Sequence, residues 1–169
     1  LHLFRRIALM LPGRAERSFI FEMLGSIEVT QLKVALRIWH NRLPVRIEDR
    51  LLDPTVLHPV DYAGVTRASS IEEVIVVLGG TPYAAPIASA REHYRRRGSV
   101  FPLEAALDKD FCMRLLAAAD QLARRDRATA RAVIGTEIDI MNIAFFVRLR
   151  RYHALPMGEM LEWFIPGGV

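Results

Sequence analysis

Two stretches of this chain, about 110 residues apart, carry residue types in the same order, and that period is too long for a stack of small solenoid repeats. Leu24-Gly25-Ser26 matches Ile134-Gly135-Thr136, and one residue of slippage later Ile27-Glu28-Val29 matches Ile138-Asp139-Ile140. Gln31 falls where Asn142 falls, and Arg37 where Arg148 falls. A second one-residue slip aligns Leu43-Pro44 with Leu155-Pro156, and Pro54 with Pro166. The recurrence predicts duplicated helical modules: residues 1–44 are the C-terminal part of one, 45–155 one complete module and 156–169 the start of a further one. Beginning at Leu1 without methionine and stopping at Gly167-Gly168-Val169, the sequence reads as a piece of a longer protein.

The later copy is the more sharply drawn. Residues 135–148 read as the start of a helix apolar on nearly every side, which predicts a place in the middle of the fold. Thr136 followed three residues on by Asp139 is a capping box in its acidic variant. Asp139 with Asn142, like Glu28 with Gln31, puts a carboxylate and an amide on one helix face, and such groups need partners when buried. We read Glu28, Gln31, Arg37, Asp139, Asn142 and Arg148 as structural polar residues, because a device that recurs with a duplication is more readily structural than catalytic. The repeat also predicts equivalent helices over 27–41 and 138–152, each preceded by an antiparallel helical neighbour.

The remaining pattern is helical throughout. Apolar spacing predicts helices over 3–11, ending at Pro12-Gly13, over 15–24, stopping at Gly25, and over 26–40, where Leu32, Leu36 and Trp39 form a core stripe. Closely spaced prolines leave only short turns between residues 43 and 69. Ser70-Ile71-Glu72-Glu73 is another capping box, and with the stop at Gly79-Gly80 it favours helix over strand for the β-branched run between them. Thr81-Pro82 opens a helix that runs through Pro86 to Arg97 and stops at Gly98. Pro102 opens a longer one through Leu107, Phe111, Leu115, Ala118 and Leu122, followed by a helix over 126–134. The fold class is all-α.

Composition narrows function mainly by exclusion. With 51% hydrophobic and 25% charged residues the chain is globular rather than disordered. No apolar run reaches the roughly 18 residues of a spanning helix. A net charge of +4, carried mostly by arginine, permits an acidic partner without demanding one. The single cysteine, Cys112, excludes an internal disulfide and reads as a packed thiol. His2, His40, His58, His93 and His153 lack metal-ligand spacing. Gly79-Gly80-Thr81 lacks the lysine and most of the glycines of a phosphate loop, so a helix stop is the better reading. Asp108 with Asp110, Glu72 with Glu73, and Glu159 with Glu162 are acid pairs of the kind more often solvated on helices than catalytic. Arginines 95–97 and the cluster at 124–127 leave a basic helical nucleic-acid-binding module as the alternative, though only Tyr94 supplies an interleaved aromatic.

Three motifs together resemble the C-subunit family of the V-type and A-type ATP synthases, the counterpart of the d subunit of eukaryotic V-ATPases. They are Leu78-Gly79-Gly80-Thr81-Pro82-Tyr83, the stretch from Leu103-Glu104 to Asp110-Phe111, and Glu137 to Ile143 with Arg148 and the closing Leu155-Pro156 to Ile165-Pro166-Gly167-Gly168. The resemblance implies an all-helical, three-module funnel. It would be a noncatalytic, cofactor-free rotor connector, peripheral on the cytoplasmic face of the membrane, with the central shaft and the proteolipid ring as partners. The family chain is about twice this length, and Glu28, Thr30 and Gln31 depart from its favoured aspartate and asparagine.

Overall fold

A computed structural model of the chain describes residues 6, 9–11, 13–51, 56–152 and 157–169, without the side chains of 152, 157 and 159. The helix expected over 3–11 and the aligned positions Pro54, Leu155 and Pro156 lie mostly or wholly outside the described residues. Every regular element among those described is helical.

Helix α1, Arg14–Asn41, is unbroken, so Gly25 neither ends one helix nor precedes another. Its C-terminus is closed by Arg42 in the left-handed region at φ 49°, where Leu43 N–H bonds to Ile38 O. A non-glycine residue there is uncommon; the Arg42 guanidinium donates to Ala68 O at 3.1 Å, beside the Trp39 indole N–H on the same carbonyl at 2.9 Å.

Among its described residues the proline-rich stretch yields a 3-10 turn, Ile47–Arg50, and the short α2, Tyr62–Arg67, whose first turn is capped by Asp61 accepting from Gly64 N. Helix α3, Ile71–Val77, forms despite its β-branched run because Ser70 Oγ caps Glu73 N. The Glu73 carboxylate returns to Ser69 N and Oγ rather than to Ser70. Thr81 and Pro82 lie in a turn, and α4, Ala84–Arg97, begins two residues later than expected, with Pro86 in its first turn and Gly98 at φ 60° past its end. Helix α5, Phe101–Asp120, carries Pro102 in its first turn and ends before Leu122.

The second correction is at α6, Arg124–Tyr152, which absorbs both the helix expected over 126–134 and the one expected to start at Thr136. Thr136 Oγ1 donates to Ala132 O and Ser26 Oγ to Met23 O, the backbone contacts of mid-helix hydroxyls rather than caps. A helix-interior glycine costs about 1 kcal/mol against alanine, and at Gly135 close packing explains it: a Cβ there would lie 2.9 Å from Val169 Cγ2 and 3.3 Å from Gly167 O. The C-terminal tail, after the short α7, Met157–Leu161, crosses α6 at that point. Neither long helix has the separate antiparallel neighbour expected before residues 27 and 138, since the preceding residues belong to the same helix.

The middle of the fold is α5, not α6. Helix α5 touches α1, α4 and α6. Lys33 pairs with Asp108 and Arg37 with Glu104, a reversed order that makes α5 antiparallel to α1. Cys112 meets Met141 and Glu104 meets Arg148, which makes it antiparallel to α6 as well. The two long helices therefore run parallel to each other, both packed on α5, with α2 on α1, α4 on α5 and α3 between α2 and α4.

Candidate functional site

Buried charge gathers where α1 and α6 meet α5. Glu104 and Asp108 stand one turn apart on α5 and are both buried, and Lys33 and Arg37 stand one turn apart on α1. Lys33 Nζ lies 2.7 and 3.0 Å from the two Asp108 oxygens, and Arg37 Nε donates to Glu104 Oε1. From α6, Arg148 Nη1 donates to Glu104 Oε2 at 3.3 Å. One buried carboxylate thus ties both long helices to the helix between them. Its hydrogen bond holds the Arg37 guanidinium above its ordinary range, whereas burial pushes Asp108 up despite the Lys33 ammonium beside it. Arg37, His40, Asn41, Phe101, Glu104 and Arg148 line an open recess of about 460 Å³ over this junction.

A second polar centre is Glu28, fully buried on α1. Its Oε1 accepts from the backbone N–H groups of Leu57 and His58, and its Oε2 from Tyr83 Oη at 2.6 Å and His58 Nδ1 at 2.7 Å. Burial by itself would raise this carboxyl, but the hydrogen bonds from Tyr83, His58 and Leu57 outweigh it and hold Glu28 below the usual carboxylate range. An ionised carboxylate only accepts, so His58 Nδ1 carries the proton of that bond. The Tyr83 hydroxyl is pushed up strongly by burial and by its bond to Glu28. Gln31, one turn on, is buried and donates to Tyr62 Oη at 3.2 Å.

In α6 the corresponding groups meet the chain's own tail and are only half-buried. Asn142 donates to Ile165 O at 2.9 Å and accepts from Ile165 N at 2.8 Å, so one amide satisfies both backbone groups of one residue. Asp139 accepts from Val169 N at 3.1 Å, and a Cβ on Gly168 would collide with its carboxylate. Glu28 likewise accepts from the backbone of His58, thirty residues downstream.

The structure separates the acid pairs. Asp108 goes to Lys33, Asp110 to Arg114, Glu72 to Arg95 and Glu73 to Ser69. Glu162 is exposed, and the Glu159 side chain lies outside the described residues. Among the described residues no three His, Cys, Asp or Glu side chains converge on a metal position; His2 and His153 lie outside that set. Cys112, with Phe19, Met23, Phe111, Val133 and Met141, lines an apolar groove of about 470 Å³, where burial pushes its thiol up to about 12. That is the opposite of an activated nucleophile. The arginine clusters sit on two different helices, with Arg95 bonded to Glu72 and Glu92 and Arg97 over the Trp163 ring.

Four residues of these centres escape a reading by types alone: Lys33, His58, Tyr83 and Glu104. A signal for two of them exists. Glu104 and Asp108 are carboxylates one turn apart inside an otherwise apolar helix start, and Lys33 and Arg37 repeat that spacing with opposite sign. For His58 and Tyr83 no comparable pattern exists, because the contacts span about thirty and about fifty-five residues.

A family model described as ATP synthase (C/AC39) subunit matches residues 1–169. The chain is 27% identical over 145 residues to the A-type ATP synthase C subunit of Methanobrevibacter smithii, covering 86% of this chain and 38% of that protein. It is 29% identical over 144 residues to the C subunit of the Methanosphaera stadtmanae A-type ATP synthase, covering 85% and 37%, and 35% identical over 101 residues to that of Haloferax volcanii, covering 60% and 28%. The chain thus spans well under half the length of these relatives. No solved structure matches it.

Proposed function

Because the chain belongs to the ATP synthase (C/AC39) subunit family, we propose that the complete protein is a noncatalytic connector in the central rotor of a V/A-type rotary ATPase. It sits on the membrane proteolipid ring at the cytoplasmic face, receives the foot of the central shaft, and makes ring and shaft turn together during ATP-linked proton or sodium transport. The family match over all 169 residues carries this reading.

The physical support is the way the helices are joined. A connector under torque needs elements that do not slide past one another, and α1 and α6, each about 42 Å long at 1.5 Å per residue, are both clamped to α5 through one buried carboxylate. Glu104 is buried while both arginines are about half exposed, so pulling either long helix away would leave a buried carboxylate short of a partner, which opposes shear between the helices. No helix among the described residues is long and apolar enough to cross a membrane, which fits a peripheral seat. In this reading the protein binds no nucleotide and uses no cofactor.

The test is binding by the complete polypeptide. Co-sedimentation with detergent-solubilised proteolipid ring and calorimetry with isolated shaft proteins should both report association, and the protein alone should hydrolyse no ATP. Failure to bind either partner, together with salt-sensitive binding to DNA or RNA, would replace this reading with the nucleic-acid one.

A further inference from the structure

The aligned copies fix a register in which Val29, Leu32 and Leu36 of α1 correspond to Ile140, Ile143 and Val147 of α6. In α1 these residues are 3%, 0% and 0% exposed; in α6 they are 56%, 64% and 52% exposed. The same positions, apolar in both helices, are core in one and surface in the other.

What covers the stripe of α1 is visible. Gly25, Val29, Leu32 and Leu36 follow one another at helical spacing on one face, and a Cβ on Gly25 would lie 3.8 Å from the Phe111 ring of α5. Lys33 and Arg37 flank the stripe and reach Asp108 and Glu104 of α5. Helix α5, which belongs to the repeat after that of α1, thus lies against this face. Against α6 the same α5 takes a different face, the one bearing Met141 and the buried Ile138, Phe145 and Leu149. The face of α6 that matches the α5-covered face of α1 is the exposed one.

We propose that Ile140, Ile143 and Val147 seat an amphipathic helix of the α5 kind, supplied by a further repeat of the complete polypeptide. Relatives of which this chain spans 38% and 37% have length for such a repeat. Charge supports the same occupant. Arg148 corresponds to Arg37 and borders the stripe; it is half-exposed, with Nη1 on Glu104. An α5-like helix would bring it an acidic residue in the position that Glu104 holds toward Arg37. Ala144, which takes the place of Lys33, leaves room for close approach.

The inference stands on the repeat and not on the rotor reading, and its test needs no partner protein. In the isolated complete polypeptide carrying Cys112→Ala, the thiol of Ile143→Cys should react with a maleimide on the order of a hundredfold more slowly than in the same variant denatured, because reaction then requires local opening. Val147→Cys should behave alike, whereas Val76→Cys, on a side chain 76% exposed, should react near the denatured rate. Reaction of the Ile143→Cys and Val147→Cys thiols at the denatured rate would overturn the proposal. Protection that disappears on dilution would assign the face to a second copy. Protection that arises only on adding ring or shaft proteins would assign it to them, and either result removes the intramolecular helix.

Discussion

Helices α1 and α6 are built on one pattern and treated differently by the fold. Each is 28 or 29 residues long, each has a glycine eleven residues after its first residue, and each follows it with a carboxylate, an amide and an arginine. Around α1 the pattern is enclosed: Glu28 is buried with four hydrogen bonds and the stripe beginning at Val29 is core. Around α6 it is half open, with Asp139 and Asn142 on a short tail and the matching stripe in solvent. The difference lies in what packs against each helix, since the residue types are nearly the same. Residue type states what a position tolerates, and neighbours decide what it contributes.

The largest expected effects lie at the Glu28 carboxylate and at the two apolar stripes. Glu28→Ala should destabilise this chain by about 3 kcal/mol, since it strands the buried Tyr83 hydroxyl and removes the acceptor of the part-buried His58 ring and of two backbone amides. Urea unfolding measures it, and a loss below about 1 kcal/mol would mean that water replaces the carboxylate. Of similar size, Leu32→Ala should cost about 2–5 kcal/mol through the cavity it leaves, while Ile143→Ala in the same chain should stay within about 0.5 kcal/mol. Equal losses at the two positions would end the contrast.

Smaller effects are expected where α6 meets the C-terminal tail. Asn142→Ala removes both bonds to Ile165 and should cost about 1–2 kcal/mol by thermal unfolding. Asp139→Ala, with one bond to the tail and no cap to lose, should cost about 1 kcal/mol or less. The smallest difference is in pH dependence. Because the folded-state pKa of Glu28 lies below its ordinary 4.5, its ionised form stabilises the fold above that value. That contribution is lost as pH falls from about 4.5 through the lower folded value. Glu28→Gln should therefore flatten the acid limb of a stability–pH curve, and an unchanged limb would show that Glu28 is not stabilised as the anion.

The sequence alone determined the all-helical class, the stops at Gly98 and near Gly79-Gly80, the cap at Ser70, the packed states of Trp39 and Cys112, and the family resemblance. These are local or compositional matters, decided within a few residues by caps, periodicity and side-chain chemistry. Tertiary structure alone decided that α1 and α6 continue unbroken through Gly25 and Gly135, that α5 occupies the middle, and that Glu104 serves an arginine from each long helix. A glycine after a helical run is a stop in an isolated segment, where about 1 kcal/mol per residue is decisive. Packing across α5 and the C-terminal tail outweighs that cost, and it does so through contacts tens of residues apart that local pattern does not encode.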